Sequence, residues 1–145
     1  MTHRILFVCL GNICRSPSAE GVFRTLVPAA TTDSAGTGDW HVGDPPYGPM
    51  QDAASARGYD LSDLRARRIT ARDFDRFDLI VAMDAANLRA IEAVRPAGAA
   101  TPVRLFTDYA PDRGMDHVPD PYMTRDFDGT LDLIEDCARG LAARL

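Results

Sequence analysis

The stretch VCLGNICRSP, residues 8–17, decides the fold because a buried strand ends in it and a helix begins in it. The apolar run ILFV, residues 5–8, leads into it and predicts a short buried strand. Ser16 is a candidate N-cap with Pro17 in the first turn, and together they predict a helix over residues 16–27. The sequence therefore predicts a strand, a tight loop and a helix, in that order.

The residues of this loop are those expected of a nucleophile inside an anion site. A loop that enters a helix N-terminus presents free backbone N–H groups to the oxygens of an oxyanion. Cys9 lies at its mouth, where the helix N-terminus and a cation favour the reactive thiolate. Arg15 supplies that cation, and its planar fork of donors matches two oxygens of a phosphate. These features predict covalent phosphoryl transfer through a cysteinyl-phosphate.

Other residues of the loop have expected roles of their own. Gly11 and Asn12 tolerate the left-handed backbone that a tight curl requires. Ser16 is expected to donate a hydrogen bond to the Cys9 sulfur. A Cys and an Arg at this spacing also arise by chance in a chain with 16 basic residues, so a buried structural Cys with a surface Arg is the competing interpretation. The predicted phosphate site comprises Leu10, Gly11, Asn12, Ile13, Cys14, Arg15 and Ser16.

Residues 8–20, VCLGNICRSPSAE, resemble the signature of the low-molecular-weight protein tyrosine phosphatases at nearly every position, and the resemblance runs the length of the chain. It implies a four-stranded parallel sheet with helices on both faces, and hydrolysis of phosphotyrosine without a metal. A second motif, VPDPY at residues 118–122, resembles the family's Asp-Pro-Tyr motif. It implies that Asp120 protonates the leaving phenolate oxygen and later takes a proton from water. Without the resemblance, Asp120 is an ordinary turn aspartate.

The rest of the chain alternates between strands and helices. This alternation predicts an α/β fold in which a parallel sheet has right-handed crossovers, arranged as a three-layer sandwich in one domain over residues 1–145. Ligands of such folds lie beyond the carboxyl ends of the strands, so the loops that follow the four strands should converge on one face. The further predicted strands are residues 31–35, 79–83 and 103–106, and the further predicted helices are residues 50–57, 84–94 and 130–145.

Composition narrows the class of protein. Hydrophobic residues make up 46% and charged residues 26% of the 145 positions, as in globular proteins. The net charge of −5 argues against nucleic acid or an anionic membrane as a partner. No apolar run approaches the length of a membrane span, and we expect no signal peptide before the first strand. We expect a cytoplasmic monomer, with signal-independent export as the alternative location.

Aromatic residues are candidates for the walls of a substrate cleft. Trp40 lies in a Gly-rich loop, where it either anchors the loop or stacks on the ring of a phosphotyrosine. The resemblance implies an aromatic wall at Trp40 and at Tyr122, and Met123 adjoins them. A deep aromatic slot favours phosphotyrosine over the shorter phosphoserine. Because Met123 replaces a second tyrosine that some members carry, regulation by phosphorylation would have one acceptor here.

A second departure from the family lies at Leu64, where many members carry a histidine that braces the phosphate loop. We therefore expect the bracing network of Asn12, Ser16 and Ser34 to be incomplete. Asp84 and Asn87 resemble the family's Met-Asp-x-x-Asn stretch and are expected to cap a helix and support the loop.

Three cysteines are too few for a disulfide framework, and their spacing is not that of a zinc site. Cys14 is either a small side chain packed under the loop or a redox guard of Cys9, as in similar family members. Cys137 falls on the apolar side of the last predicted helix, which predicts a core position. We expect neither a metal nor another cofactor.

Other functions share parts of this pattern. Arsenate reductases have the same fold and loop but need further cysteines after the third strand, and residues 83–88 contain none. A non-catalytic phosphopeptide-binding module would keep the loop and lack the acid, whereas Asp120 is present. Protein-arginine phosphatases stay open as the nearer alternative. The primary prediction is a phosphatase of phosphotyrosine-bearing proteins and peptides, inhibited by phosphate-like oxyanions.

Overall fold

The computed structural model describes residues 3–145, so Met1 and Thr2 at the predicted lead-in to the first strand lie outside the described residues. Strands and helices alternate along this part of the chain, and no helix in it combines the length and apolar character needed to cross a membrane. The strands are β1 (Arg4–Cys9), β2 (Thr31–Gly36), β3 (Leu79–Ala82) and β4 (Val103–Leu105). The helices are α1 (Arg15–Leu26), α2 (Gly48–Ser55), α3 (Asp73–Arg76), α4 (Ala85–Ala93), α5 (Pro121–Thr124) and α6 (Phe127–Ala142).

The four strands form one parallel sheet in the order β2-β1-β3-β4. The register pairs Cys9 with Gly36 on one side of β1 and Val8 with Ala82 on the other. The carboxyl ends of three neighbouring strands therefore align, and the loops that leave them start at the same edge. The predicted α/β fold with a four-stranded parallel sheet is confirmed.

Side chains of β1 alternate between the two faces of the sheet, and each face is covered by helices. Phe7 belongs to the larger core cluster, where its ring centroid lies 5.7 Å from that of Phe23 on α1. Leu6 and Val8 belong to the second cluster, with Ile91 of α4. Because β1 is buried on both faces, its sequence is a continuous apolar run without polar alternation.

Several element boundaries differ from the prediction. Helix α1 begins at Arg15, its N-cap position is Cys14, and no side chain caps it, so the expectation that Ser16 is the N-cap is wrong. Helix α6 begins at Phe127, three residues before the predicted start, because the Asp126 carboxylate accepts a hydrogen bond from the amide of Gly129. Between β4 and α6 the chain forms two 3₁₀ turns and α5; these turns are Phe106–Tyr109 and Pro111–Arg113.

Candidate active site

Cys9 is the last residue of β1 and is almost fully buried, with 3% of its surface exposed. Its sulfur accepts a hydrogen bond from the Asn12 amide at 3.2 Å and lies 3.1 Å from the Ser16 hydroxyl oxygen. Ser16 does not cap α1 because it is the second residue of that helix, two positions after the N-cap Cys14. Two donors directed at one sulfur stabilise negative charge on it.

The backbone of the loop curls at Asn12, which has the left-handed φ of 57°. Gly11 is not among the residues with positive φ, so left-handed freedom is not the reason for a glycine there. A Cβ atom at Gly11 would lie 3.1 Å from the Cδ2 atom of His41, tighter than side chains normally pack. Gly11 therefore makes room for the loop that follows β2.

Backbone donors of the loop are left without partners. In the described chain, the amides of Gly11, Ile13 and Cys14 donate no hydrogen bond to another residue. Helix α1 begins immediately afterwards without a side-chain cap, so its first amides and the positive end of its dipole also face the loop. A curled run of free N–H groups at a helix N-terminus is a binding site for an oxyanion.

The Arg15 side chain is buried, with 5% exposed, and one edge of its guanidinium is fixed by neighbours. Nη1 donates to Asp84 Oδ2 at 2.8 Å and to the Val118 carbonyl at 3.0 Å. Nη2 lies 4.0 Å from Asp120 Oδ2, on the cleft side. The pairing leaves the second edge of the guanidinium free for phosphate oxygens.

Asp120 is the N-cap of α5 and lies between two prolines. Its Oδ1 accepts a hydrogen bond from the Tyr122 amide at 3.1 Å, and about a third of its side chain is exposed (34%). The prolines restrict the backbone on either side, so the carboxyl group is held facing Arg15.

One cleft brings most of the predicted site residues together, but the buried Asn12 and Ser16 do not line it, and His41 lines it although it was not among the predicted site residues. Trp40 is 71% exposed, and its ring lies against Gly38 of the same loop, so the side chain packs on its own loop while it lines the cleft. Tyr122 and Met123 are also exposed at the rim. The cleft is lined by Cys9, Leu10, Gly11, Ile13, Cys14, Arg15, Trp40, His41, Asp120, Tyr122 and Met123.

The other two cysteines differ from Cys9 in their surroundings. Burial, reinforced by the nearby Cys9 and Asp120, raises the pKa of the Cys14 thiol to about 12. Burial in α6 likewise raises the pKa of Cys137 to about 12, and Cys137 is a core residue as predicted. Both side chains are neutral thiols near neutral pH.

The bracing network behind the loop is complete without a histidine, so the expected gap at Leu64 is wrong. The Asn12 side-chain amide donates to the Ser16 hydroxyl at 2.8 Å and to the Ser34 hydroxyl at 3.0 Å. Ser34 in turn donates to the buried Glu20 carboxylate at 2.7 Å. Leu64 packs against the apolar core instead. Burial raises the pKa of Glu20 to about 7.

Two of these contacts were not predicted from the sequence. Asp84 was expected to cap a helix, which it does for the Asn87 amide, but its second oxygen also holds Arg15, 69 positions away. Glu20 had no expected role, although it ends the network that supports the loop. No local spacing signals either contact, because both join segments that only the fold brings together.

Comparisons with known proteins identify similar sequences and similar folds. A family model described as low molecular weight phosphotyrosine protein phosphatase matches residues 4–145. A relative from Streptomyces coelicolor, a low molecular weight protein-tyrosine-phosphatase, is 44% identical and aligns over 99% of this chain and 93% of its own length. Among solved structures, YfkJ from Bacillus subtilis superposes with a TM-score of 0.93 at 36% identity, covering 99% and 94% of the two chains. A Drosophila arginine phosphatase superposes with a TM-score of 0.90 at 30% identity, covering 97% and 96%.

Proposed function

The chain belongs to the low molecular weight phosphotyrosine protein phosphatase family, a family of hydrolases that act on phosphoproteins, and from this premise we propose that Cys9, Arg15 and Asp120 hydrolyse phosphotyrosine. The phosphate group lies against the loop amides and the free edge of Arg15. The sulfur of Cys9 is then below the phosphorus, and the carboxyl of Asp120 faces the leaving oxygen from the opposite side.

In the first step the Cys9 thiolate attacks the phosphorus, so an S–P bond forms and the bond to the aryl oxygen breaks. The protonated Asp120 gives its proton to that oxygen, and tyrosine leaves as the neutral phenol. Charge that builds on the equatorial phosphate oxygens is stabilised by the loop amides and by Arg15. The product of this step is cysteinyl-phosphate and an Asp120 carboxylate.

In the second step a water molecule attacks the phosphorus. The Asp120 carboxylate takes a proton from this water, the S–P bond breaks, and Cys9 leaves as thiolate. The Ser16 hydroxyl, 3.1 Å from the sulfur, supports the leaving thiolate. Inorganic phosphate is released and the residues return to their starting protonation states.

The cleft walls suit a long, flat substrate. Trp40 and Tyr122 offer ring faces to an aryl phosphate at the rim, while the phosphate site lies at the bottom beside Cys9. We expect phosphate, vanadate and similar oxyanions to compete with substrate for the loop amides. We also expect the protein to be a monomer. Because Cys9 reacts only in its reduced, unpaired form, we expect it to work in a reducing compartment such as the cytoplasm.

The single observation that carries the proposal is that the Cys9 sulfur, the Arg15 guanidinium and the Asp120 carboxyl line one cleft. The test is hydrolysis of p-nitrophenyl phosphate with a chelator present. We expect Cys9→Ser to lose at least roughly 10³-fold in kcat/KM and Asp120→Ala roughly 10²-fold. The activity of the wild type should fall at high pH as Asp120 loses its proton. The activity of Asp120→Ala should not show this fall, because the variant has no proton donor to lose.

Asp112 provides a matched control, since it is another exposed aspartate in the segment after β4 and forms no ion pair with a described residue. Asp112→Ala should keep full activity. Turnover by Cys9→Ser, or a requirement for a metal ion, would show that the proposed chemistry is wrong.

Phosphoarginine is a second candidate substrate, supported by the likeness to the Drosophila arginine phosphatase. In that reaction the leaving atom is a guanidine nitrogen, and the same acid would protonate it. The exposed ring of Trp40 at the rim favours the aryl substrate. We expect kcat/KM for a phosphotyrosine peptide to exceed that for the matched phosphoarginine peptide, and the reverse ratio would reassign the substrate.

A further inference from the structure

The turn that carries Asp120 ends at Arg125, whose backbone is left-handed with φ of 65°. Only one other non-glycine residue in the described chain, Asn12 of the phosphate loop, has a positive φ. Asparagine adopts this conformation readily, but an arginine does so at a cost that its contacts must offset. The contacts of the Arg125 side chain therefore matter for the conformation of this turn.

The Arg125 side chain folds onto aromatic rings. Its Nη1 donates to the Tyr47 hydroxyl at 2.9 Å, and its guanidinium carbon lies 5.3 Å from the centre of that ring. The same carbon lies 5.1 Å from the centre of the Phe127 ring. No acidic group of the described residues lies within ion-pair distance of Arg125, so these rings and the hydroxyl are its partners.

Tyr47 also contacts the two loops that form the cleft. Its backbone amide donates to the Ile13 carbonyl of the phosphate loop at 2.8 Å. Its ring lies 5.1 Å from the ring of Tyr122, which is two residues after Asp120. Tyr47 thus contacts both the phosphate loop and the turn that carries Asp120. Arg125, at the end of that turn, bonds the Tyr47 side chain in place.

The turn itself is short and closed. The amide of Thr124 donates to the Asp120 carbonyl at 3.1 Å, and the amide of Arg125 donates to the Pro121 carbonyl at 2.8 Å. At its other end, the Val118 carbonyl accepts from the Arg15 guanidinium. A displacement at Arg125 therefore moves the Asp120 carboxyl relative to the phosphate, and proton transfer is sensitive to such misplacement.

We propose that Arg125 and Tyr47 form a positioning clamp that holds the Asp120 turn in register with the phosphate loop. The clamp acts on protonation of the leaving group and leaves phosphate binding alone. The inference rests on the proposed role of Asp120 as the general acid. Arg125 is a positioning residue, since it acts through the backbone that carries Asp120.

The test compares aryl phosphates whose leaving phenols differ in pKa. Arg125→Gly keeps the left-handed backbone and removes the clamp. We expect kcat/KM for phenyl phosphate and phosphotyrosine to fall roughly tenfold and that for dinitrophenyl phosphate to stay within about twofold, because only poor leaving groups need the acid. Competitive inhibition by inorganic phosphate should be unchanged.

Tyr47→Phe removes only the hydroxyl and leaves the backbone untouched. It should produce a smaller change of the same kind, and the double variant Tyr47→Phe/Arg125→Gly should lose no more than Arg125→Gly alone. Arg144→Gly is the matched control, because Arg144 stacks on Tyr109 at 5.6 Å outside the cleft. It should leave the leaving-group dependence unchanged.

Asp120→Ala in the same series separates the two claims. If Asp120→Ala does not steepen the leaving-group dependence, the proposed acid is wrong. If Asp120→Ala steepens it and Arg125→Gly does not, the clamp alone is wrong. An equal loss of kcat/KM on all substrates would also overturn the clamp. Weaker inhibition by inorganic phosphate would overturn it as well and would assign Arg125 to phosphate binding.

Discussion

At the scale of single residues, Cys9 and Cys14 belong to the same loop but differ in reactivity. The sulfur of Cys9 lies beside the Asn12 amide and the Ser16 hydroxyl, which stabilise a thiolate. Burial raises the pKa of Cys14 to about 12, so in the resting enzyme its thiol is protonated and Cys9 is the cysteine placed to attack phosphorus. Two cysteines of one short loop can thus have different chemical roles.

Cys14→Ser should show whether Cys14 guards Cys9 against oxidation. Peroxide converts the Cys9 thiolate to sulfenic acid, and the Cys14 thiol attacks that sulfur, releasing water and forming a disulfide that an added thiol reduces. We expect the wild-type enzyme to recover after peroxide and then thiol, and Cys14→Ser to stay inactive. The measurement is p-nitrophenyl phosphate hydrolysis before and after each treatment.

Cys137→Ala is the control for this experiment, because its thiol lies in the core of α6. It should recover like the wild type. Full recovery of Cys14→Ser would leave Cys14 with a packing role only.

At the scale of elements, two helix starts near the cleft are built differently. Helix α1 has no side-chain cap, which leaves its first amides available to an anion. Helix α4 is capped by Asp84, whose Oδ1 accepts from the Asn87 amide at 2.7 Å, while its Oδ2 accepts from Arg15. One carboxylate therefore both caps the start of α4 and pairs with Arg15, the arginine proposed to bind phosphate.

Substitutions at Asp84 should separate the cap from the ion pair. Asp84→Asn keeps a good N-cap but removes the charge that faces the buried Arg15 guanidinium, so we expect the free energy of unfolding to fall by about 2 kcal/mol. We expect kcat/KM to fall roughly tenfold, because Arg15 loses its charged partner. Thermal unfolding and p-nitrophenyl phosphate kinetics give the two values.

Asp84→Ala removes both interactions and should in addition lose about 1 kcal/mol of stability. Unchanged activity in both variants would mean that the ion pair does not orient Arg15.

At the scale of the whole molecule, the phosphate loop is supported from behind by a buried polar network. It runs from Ser16 through Asn12 and Ser34 to Glu20, and so links the loop to β2 and α1. Burial raises the pKa of Glu20 from its ordinary value of 4.5 to about 7. The folded protein therefore binds this proton more tightly than the unfolded chain does, and stability depends on pH through Glu20.

Glu20 contributes fully to the free energy of unfolding below about pH 4.5, and this contribution is lost as the pH rises through about 7. The shift corresponds to about 3 kcal/mol of unfolding free energy over that window. Glu20→Gln stays neutral and still accepts a hydrogen bond from Ser34, so it should gain stability relative to the wild type as the pH rises. Urea denaturation of both proteins, from about pH 4.5 to about pH 8.5, measures the difference.

Because every other titrating group is common to both proteins, the difference between them isolates Glu20. A difference that does not vary with pH would mean that Glu20 is not held as an acid with a raised pKa in the folded state.

The sequence by itself was sufficient for the fold class and the family, and it singled out most of the residues that line the cleft, Asp120 and Tyr122 only through the resemblance to the family. Strands such as β1 are short apolar runs, and the loop of residues 8–17 is contiguous, so local pattern and spacing carry the information. The sheet then aligns the ends of β1, β2 and β3, and the loops that bear Cys9, Trp40 and Asp84 start from one edge.

Only the tertiary structure decided how distant side chains pair. Arg15 pairs with Asp84 across 69 positions, and Arg125 bonds Tyr47 across 78. The Ser34–Glu20 bond completes the support of the loop, although Leu64 stands where many family members have a bracing histidine. Such contacts depend on strand register and on how the loops pack, which no local periodicity encodes. The sequence therefore determined which groups the site contains, and the packing of the loops determined which of them hold the others in place.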